Sequence, residues 1–116
     1  MAYEQQDLDK GLAALKARDY PTAFAILSGL AEQGNPKAQC NLANLYHFGW
    51  GIDANGTKAA ELYLAVARLN IAEEHLSALA YHSLSVLHIT GAPGLSPDAE
   101  KAAEYSDLAR ASGFEM

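Results

Sequence analysis

The sequence predicts an all-α chain folded as three stacked helical hairpins, and three observations carry that prediction. First, a run beginning at Ala38 (AQCNLANLYHFGWGIDANGTKAAELYLAVA) returns at Ala80 as AYHSLSVLHITGAPGLSPDAEKAAEYSDLAR. Ala38, Leu42, Leu45 and Gly49 fall on Ala80, Leu84, Leu87 and Gly91 at a shift of 42, and Lys58-Ala59-Ala60-Glu61 falls on Lys101-Ala102-Ala103-Glu104 after one further loop residue. A unit of this length written twice marks a helical repeat. Second, 23 of the 116 residues are alanine, the best helix former and a side chain small enough to let helices lie close. Third, apolar residues recur at helical spacing throughout, and no segment alternates as a strand would.

The elements follow in order. Leu8, Leu12 and Leu15 share one face of a first helix, which stops near Arg18-Asp19. Tyr20-Pro21 opens a second, with proline in the first turn, and Gly34 ends it. Asn35-Pro36 supplies a cap and a first helical residue for a third helix carrying Ala38, Leu42, Leu45 and Tyr46, broken by Gly49-Trp50-Gly51-Ile52. Thr57 is the expected cap of a fourth helix, which displays Ala59, Leu62, Tyr63, Val66 and Ala67. A fifth helix is expected over roughly Ala72 to Ile89. The loop Gly91-Ala92-Pro93-Gly94 follows, and Ser96-Pro97 is expected to cap and begin the sixth.

Composition narrows the function. The chain has the length of one domain, and half its residues are apolar, enough for a core. Net charge is −6 and the eight Lys and Arg are scattered, which argues against nucleic acid or an anionic membrane surface as partner. The acidic balance favours basic partner regions. A single cysteine, Cys40, allows no internal disulfide. The N-terminal MAYEQQDLDKG has no apolar signal core, and no run approaches the ~18 apolar residues of a membrane span, so a cytoplasmic location is expected.

Together these elements resemble the Sel-one-like repeats, a branch of the tetratricopeptide superfamily with longer, glycine-rich turns. The residues that carry the resemblance are Ala38, Leu42 and Tyr46, then Gly49-x-Gly51-Ile52, Asp53, Lys58-Ala59, Tyr63 and Val66-Ala67. In the second copy His88 replaces the tyrosine and Gly91-x-x-Gly94 replaces the paired glycines, while Arg18 to Ala23 and Leu30 to Asn35 read as the turn and exit of a divergent first hairpin. The expected division is 1–35, a divergent tetratricopeptide-like hairpin; 36–71, the first repeat; and 72–116, a second, looser repeat. The stretch from Asn70 to Ala80 is about six residues longer than the junction from Gly34 to Ala38. The resemblance implies a short right-handed α-solenoid in which the first helix of each pair lines a concave side.

Catalytic and cofactor chemistry find little footing. No serine has a lysine three residues later, and His47 lies two helical turns from Cys40, too far to activate it, so Cys40 reads as a packing residue. His75, His82 and His88 include no i, i+3 or i+4 pair, so no metal site is expected. Gly49-Trp50-Gly51 follows a helix rather than a strand and has no phosphate-binding lysine, and no cofactor is expected. Asn55-Gly56-Thr57 matches a glycosylation acceptor but reads better as a turn into a helix.

What remains is recognition by surface. Alignment of the units puts Leu8, Leu12, Cys40, Asn44, His47, Phe48, His82, Val86 and Ile89 near the concave side, with Trp50 in the adjoining turn. The expected function is non-catalytic protein–protein interaction, by an adaptor or regulatory protein that binds a peptide or protein through Asn44, His47, Phe48, Trp50, His82 and Val86. A groove asparagine can hold a peptide backbone by donating to C=O and accepting from N–H. Self-association is a second expectation, through an uncovered last helix bearing Tyr105, Leu108 and Phe114. The contrasting reading is a small-molecule-binding or hydrolase-type protein with a closed pocket near His47, Trp50 and His82.

Overall fold

The computed structural model describes residues 2–69 and 75–112. Six helices follow one another: α1 (Ala2–Lys16), α2 (Tyr20–Glu32), α3 (Pro36–Phe48), α4 (Gly56–Arg68), α5 (Leu76–Thr90) and α6 (Ala99–Ala111). Each packs on the next, and α3 also touches α5, so α1/α2, α3/α4 and α5/α6 form three hairpins in sequence. The expected start of the fifth helix at Ala72 lies outside the described residues, as do positions 70–74 of the long junction.

Local chemistry explains where the helices begin and end. Asn35 caps α3 as expected, its side chain accepting from the backbone N–H of Ala38 at 3.0 Å, with Pro36 next. Gly49 and Gly91 close α3 and α5, each donating its N–H to a carbonyl one turn back. Two expected caps are corrected. Asn55, not Thr57, caps α4 by accepting from Lys58 N–H, and Asp98, not Ser96, caps α6 by accepting from Lys101 N–H, each at 3.0 Å. Thr57 instead sends its hydroxyl 3.1 Å to the Gly94 carbonyl in the next hairpin. Asn55→Ala and Asp98→Ala should each lower stability by ~1 kcal/mol in urea unfolding, and Thr57→Ala by less.

The core is two connected clusters that share α3. Leu8, Leu27, Leu30, Ala38, Leu42 and Leu45 belong to the first, joining α1, α2 and α3. Ala43, Tyr63, Val66, Ala80, Leu84 and Leu87 belong to the second, joining α3, α4 and α5, while Tyr46 and Leu62 lean on both. Each hairpin alone would expose one of these faces, so stacking is what buries them.

The hairpin turns lock onto the start of α2 or α4 in the preceding hairpin, by two complementary solutions. At the α3–α4 turn the glycine belongs to the turn: a Cβ on Gly51 would fall 2.3 Å from the Cβ of Tyr20, the first residue of α2. At the α5–α6 turn the glycine belongs to the helix: a Cβ on Gly56, the first residue of α4, would fall 2.8 Å from those of Ala92 and Leu95. There Gly56 also donates its N–H to the Pro93 carbonyl at 2.7 Å, which satisfies an otherwise orphaned helix-start donor.

Candidate partner-binding face

Helices α3 and α5 are the first members of their hairpins and touch one another. On α5, Leu79, His82, Val86 and Ile89 follow an i, i+3, i+7, i+10 stripe. Its apolar members are open to solvent: Leu79 is 41% exposed, Val86 37% and Ile89 64%. Phe48 on α3 is 53% exposed. Leu79 is a member that reading the sequence missed, although the same spacing that selected Val86 and Ile89 points to it. Leu8 and Cys40, placed near the groove from alignment, lie in the core instead. Burial pushes the Cys40 thiol up to about 11, which leaves it protonated and a poor nucleophile at neutral pH.

Asn44 and His47 are held from below by a residue on another helix. Tyr63 of α4 donates its hydroxyl hydrogen to Asn44 Oδ1 and lies 3.2 Å from His47 Nδ1. Because that hydroxyl proton is committed to Asn44, the hydroxyl accepts from His47, which assigns the imidazole proton to Nδ1. Tyr63 is 1% exposed, and burial raises its pKa, with the nearby Cys40 adding to the effect. His47 is buried as well, and burial lowers its pKa from 6.5. His88 is lowered from the same value, first by burial and then by Lys101, against an opposing pull from Asp98.

These two histidines give the fold a defined acid response. A folded pKa below the unfolded one means that the unfolded chain binds more protons, so stability rises with pH across that interval. The contribution is complete above pH 6.5, declines as pH falls below it, and is gone below the lowered folded values. The urea midpoint should therefore drop between pH 7 and about pH 5, before most carboxylates titrate, and a His47→Gln/His88→Gln variant should show a flatter profile.

Aromatic rings run outward from this hydrogen-bonded set. Tyr63 meets His47 edge-on at 5.9 Å, His47 stacks on Phe48 at 4.2 Å, Phe48 on Trp50 at 4.9 Å, and Trp50 on Tyr20 at 6.2 Å. Phe48 and Trp50 are thus fixed by stacking while still reaching solvent. Trp50 faces a cleft of about 440 Å³ whose other walls are Leu15, Lys16, Arg18 and Tyr20. Neither His47 nor His82 lines that cleft, so the three residues of the contrasting pocket reading do not share it. Among the described residues no three of His, Cys, Asp and Glu come together as a metal site would require. No helix among them is long and apolar enough to cross a membrane.

On the last hairpin, Tyr105 turns inward and stacks on Tyr81 at 6.1 Å and on His88 at 5.4 Å, which leaves it half-buried. Leu108 is 42% exposed, and Phe114 lies outside the described residues.

The family model for the Sel1 repeat matches residues 36–71 and again 78–114. The chain belongs to the Sel1 repeat family. Sel1 repeats are generally protein-interaction scaffolds and typically non-catalytic. A protective antigen of uropathogenic Escherichia coli with an SLR fold superposes at a TM-score of 0.77 and 21% identity, covering 97% of this chain and 24% of that one. A Sel1 repeat protein from Oxalobacter formigenes superposes at 0.75 and 24% identity, over 95% of this chain and 82% of that one. This Sel1 chain therefore spans about a quarter of the Escherichia coli antigen and most of the Oxalobacter protein. At these identities the likeness establishes the fold, a tetratricopeptide-like stack of three hairpins. No curated protein sequence matches the chain.

Proposed function

We propose that this Sel1 repeat chain is a non-catalytic adaptor or regulatory module that seats a peptide or protein partner along α3 and α5. The observation that carries the reading is the solvent-facing apolar stripe Leu79, Val86 and Ile89 on a helix in contact with α3, which presents Phe48. Apolar side chains aligned in one row are the feature a partner surface can bury. Asn44 serves this reading through its amide nitrogen, since its oxygen is taken by Tyr63. His47 contributes by stacking under Phe48, and His82 supplies a half-buried polar edge beside Val86.

Val86→Gln/Ile89→Gln is the informative variant, because glutamine keeps helix propensity while removing apolar contact. A partner identified by wild-type pull-down, then purified, is expected to bind the variant about tenfold or more weakly, with unchanged circular dichroism. Equal affinity would overturn the groove reading. A cytoplasmic location belongs to the same proposal; the free thiol of Cys40 fits a reducing compartment, and cell fractionation tests it. Self-association is a separate proposal supported by exposed Leu108, and a Leu108→Gln variant unchanged in sedimentation would remove it.

A further inference from the structure

The cleft at Trp50 lies at the turn edge, between the first and second hairpins, and is chemically unlike the groove. Its lining is mixed, with one aliphatic and two aromatic side chains, Leu15, Tyr20 and Trp50, beside polar surface. Its rim carries two cations, Lys16 and Arg18, both exposed. Neither makes a side-chain ion pair or hydrogen bond among the described residues, whereas Arg110 is paired with Asp107. In a chain of net charge −6 with eight Lys and Arg, two cations beside one cleft, without a side-chain partner among the described residues, raise the local potential above that of the acidic surface as a whole.

The backbone places Arg18 there at a cost. Arg18 has φ 63°, a left-handed conformation that favours glycine, and it closes α1 with Asp19 N–H donating to the Ala14 carbonyl at 2.8 Å. Glycine would fit this position with less strain. Trp50 is held from the other side by its stack on Tyr20 and by Gly51, whose lack of a Cβ lets the turn close on Tyr20. The cleft is therefore built where the end of α1 and the α1–α2 turn meet the α3–α4 turn, with the cations from the first side and the indole from the second. Its volume of about 440 Å³ is in the range of sites that take small ligands or a few side chains.

We infer that this cleft docks an acidic segment of a protein partner, an apolar or aromatic side chain entering against Trp50 and Tyr20 while neighbouring carboxylates pair with Lys16 and Arg18. The guanidinium suits bidentate carboxylate recognition and the ammonium adds a point charge. This site goes beyond the groove reading: it adjoins Phe48 through Trp50, but none of Leu79, Val86 and Ile89 lines it, so it can stand or fall without that stripe.

Trp50 is the chain's single tryptophan, so its emission reports the cleft directly. The experiment titrates acetyl-Asp-Glu-Phe-Asp-Glu-amide, its uncharged analogue acetyl-Asn-Gln-Phe-Asn-Gln-amide, and adenosine monophosphate into the wild-type protein, Arg18→Gly and Lys16→Gln. The acidic peptide is expected to give a saturable emission change that weakens at high salt, about tenfold or more tighter than the uncharged analogue. Arg18→Gly should lose most of that affinity while unfolding at equal or higher urea, because glycine relieves the left-handed strain; Lys16→Gln should lose part of it. Equal response to the two peptides, full affinity in Arg18→Gly, or no response to either peptide overturns the assignment. Tighter binding of adenosine monophosphate than of the acidic peptide overturns it too, in favour of a phosphate-bearing ring. Val86→Gln/Ile89→Gln should titrate like the wild type, so failure at the groove and failure at the cleft are read separately.

Discussion

Tyr63→Phe is expected to lower stability by about 2–4 kcal/mol, a large loss for the removal of one oxygen atom. The ring would stay packed, so the cost is almost entirely polar. In the wild type the Tyr63 hydroxyl satisfies Asn44 Oδ1 and His47 Nδ1 at once, with Ser83 also a hydrogen-bond neighbour, at a site 1% exposed. Phenylalanine leaves a carbonyl and an imidazole N–H facing a hydrocarbon edge, and each buried unsatisfied group costs ~1–3 kcal/mol. Half-buried Asn44 can turn toward water, while His47 is pinned under Phe48, so the imidazole carries more of the loss. Urea unfolding followed by circular dichroism measures it, with an unchanged m-value expected. Asn44→Ala should then cost less in the Tyr63→Phe background than in the wild type, the sign of a shared network. A loss below about 1 kcal/mol would mean that both partners find water, and that Asn44 and His47 are free to turn outward.

That network marks the limit of what the sequence makes legible. The helices could be read because their ends carry chemistry in the chain itself: Asn35-Pro36 begins α3, Gly49 and Gly91 end α3 and α5, and the apolar spacing between them has one period. Phe48, Val86 and Ile89 were legible as outward residues for the same reason, since a helical stripe depends only on spacing. The caps at Asn55 and Asp98 were not. Each turn offers two capping side chains, Asn55 or Thr57 and Ser96 or Asp98, and spacing alone does not choose between them. Thr57 is drawn to Gly94, a carbonyl 37 residues away. The support of Asn44 and His47 by Tyr63 is likewise a contact between helices, and helical period says nothing about which residue of α4 reaches which residue of α3. The cleft is harder still. It joins Arg18 of the divergent first hairpin to Trp50 of the second, and the first hairpin has no clean register against the repeat that could have brought the two together.

The turn-edge contact that forms this cleft also makes Gly51→Ala the most damaging small substitution expected in the chain. Two costs add. Gly51 has φ +76°, where a non-glycine residue pays ~1 kcal/mol or more. The added Cβ would also lie 2.3 Å from Tyr20 Cβ, which is fixed to the backbone and cannot rotate away. The α3–α4 turn or the start of α2 must move, at an overpacking cost of ~1–3 kcal/mol. The expected total is about 2–4 kcal/mol, with the Trp50–Tyr20 stack disrupted and Trp50 emission shifted toward that of solvated indole. The companion contact provides the control. Gly56→Ala meets Cβ atoms at 2.8 Å but has no positive φ, so it should cost less than Gly51→Ala and leave Trp50 emission unchanged. Tyr20→Gly separates strain from collision: in that background Gly51→Ala should retain only the backbone share, ~1 kcal/mol. If the alanine costs the same with and without Tyr20, the two hairpins do not press together at this point, and the cleft between their turns is wider than its walls imply.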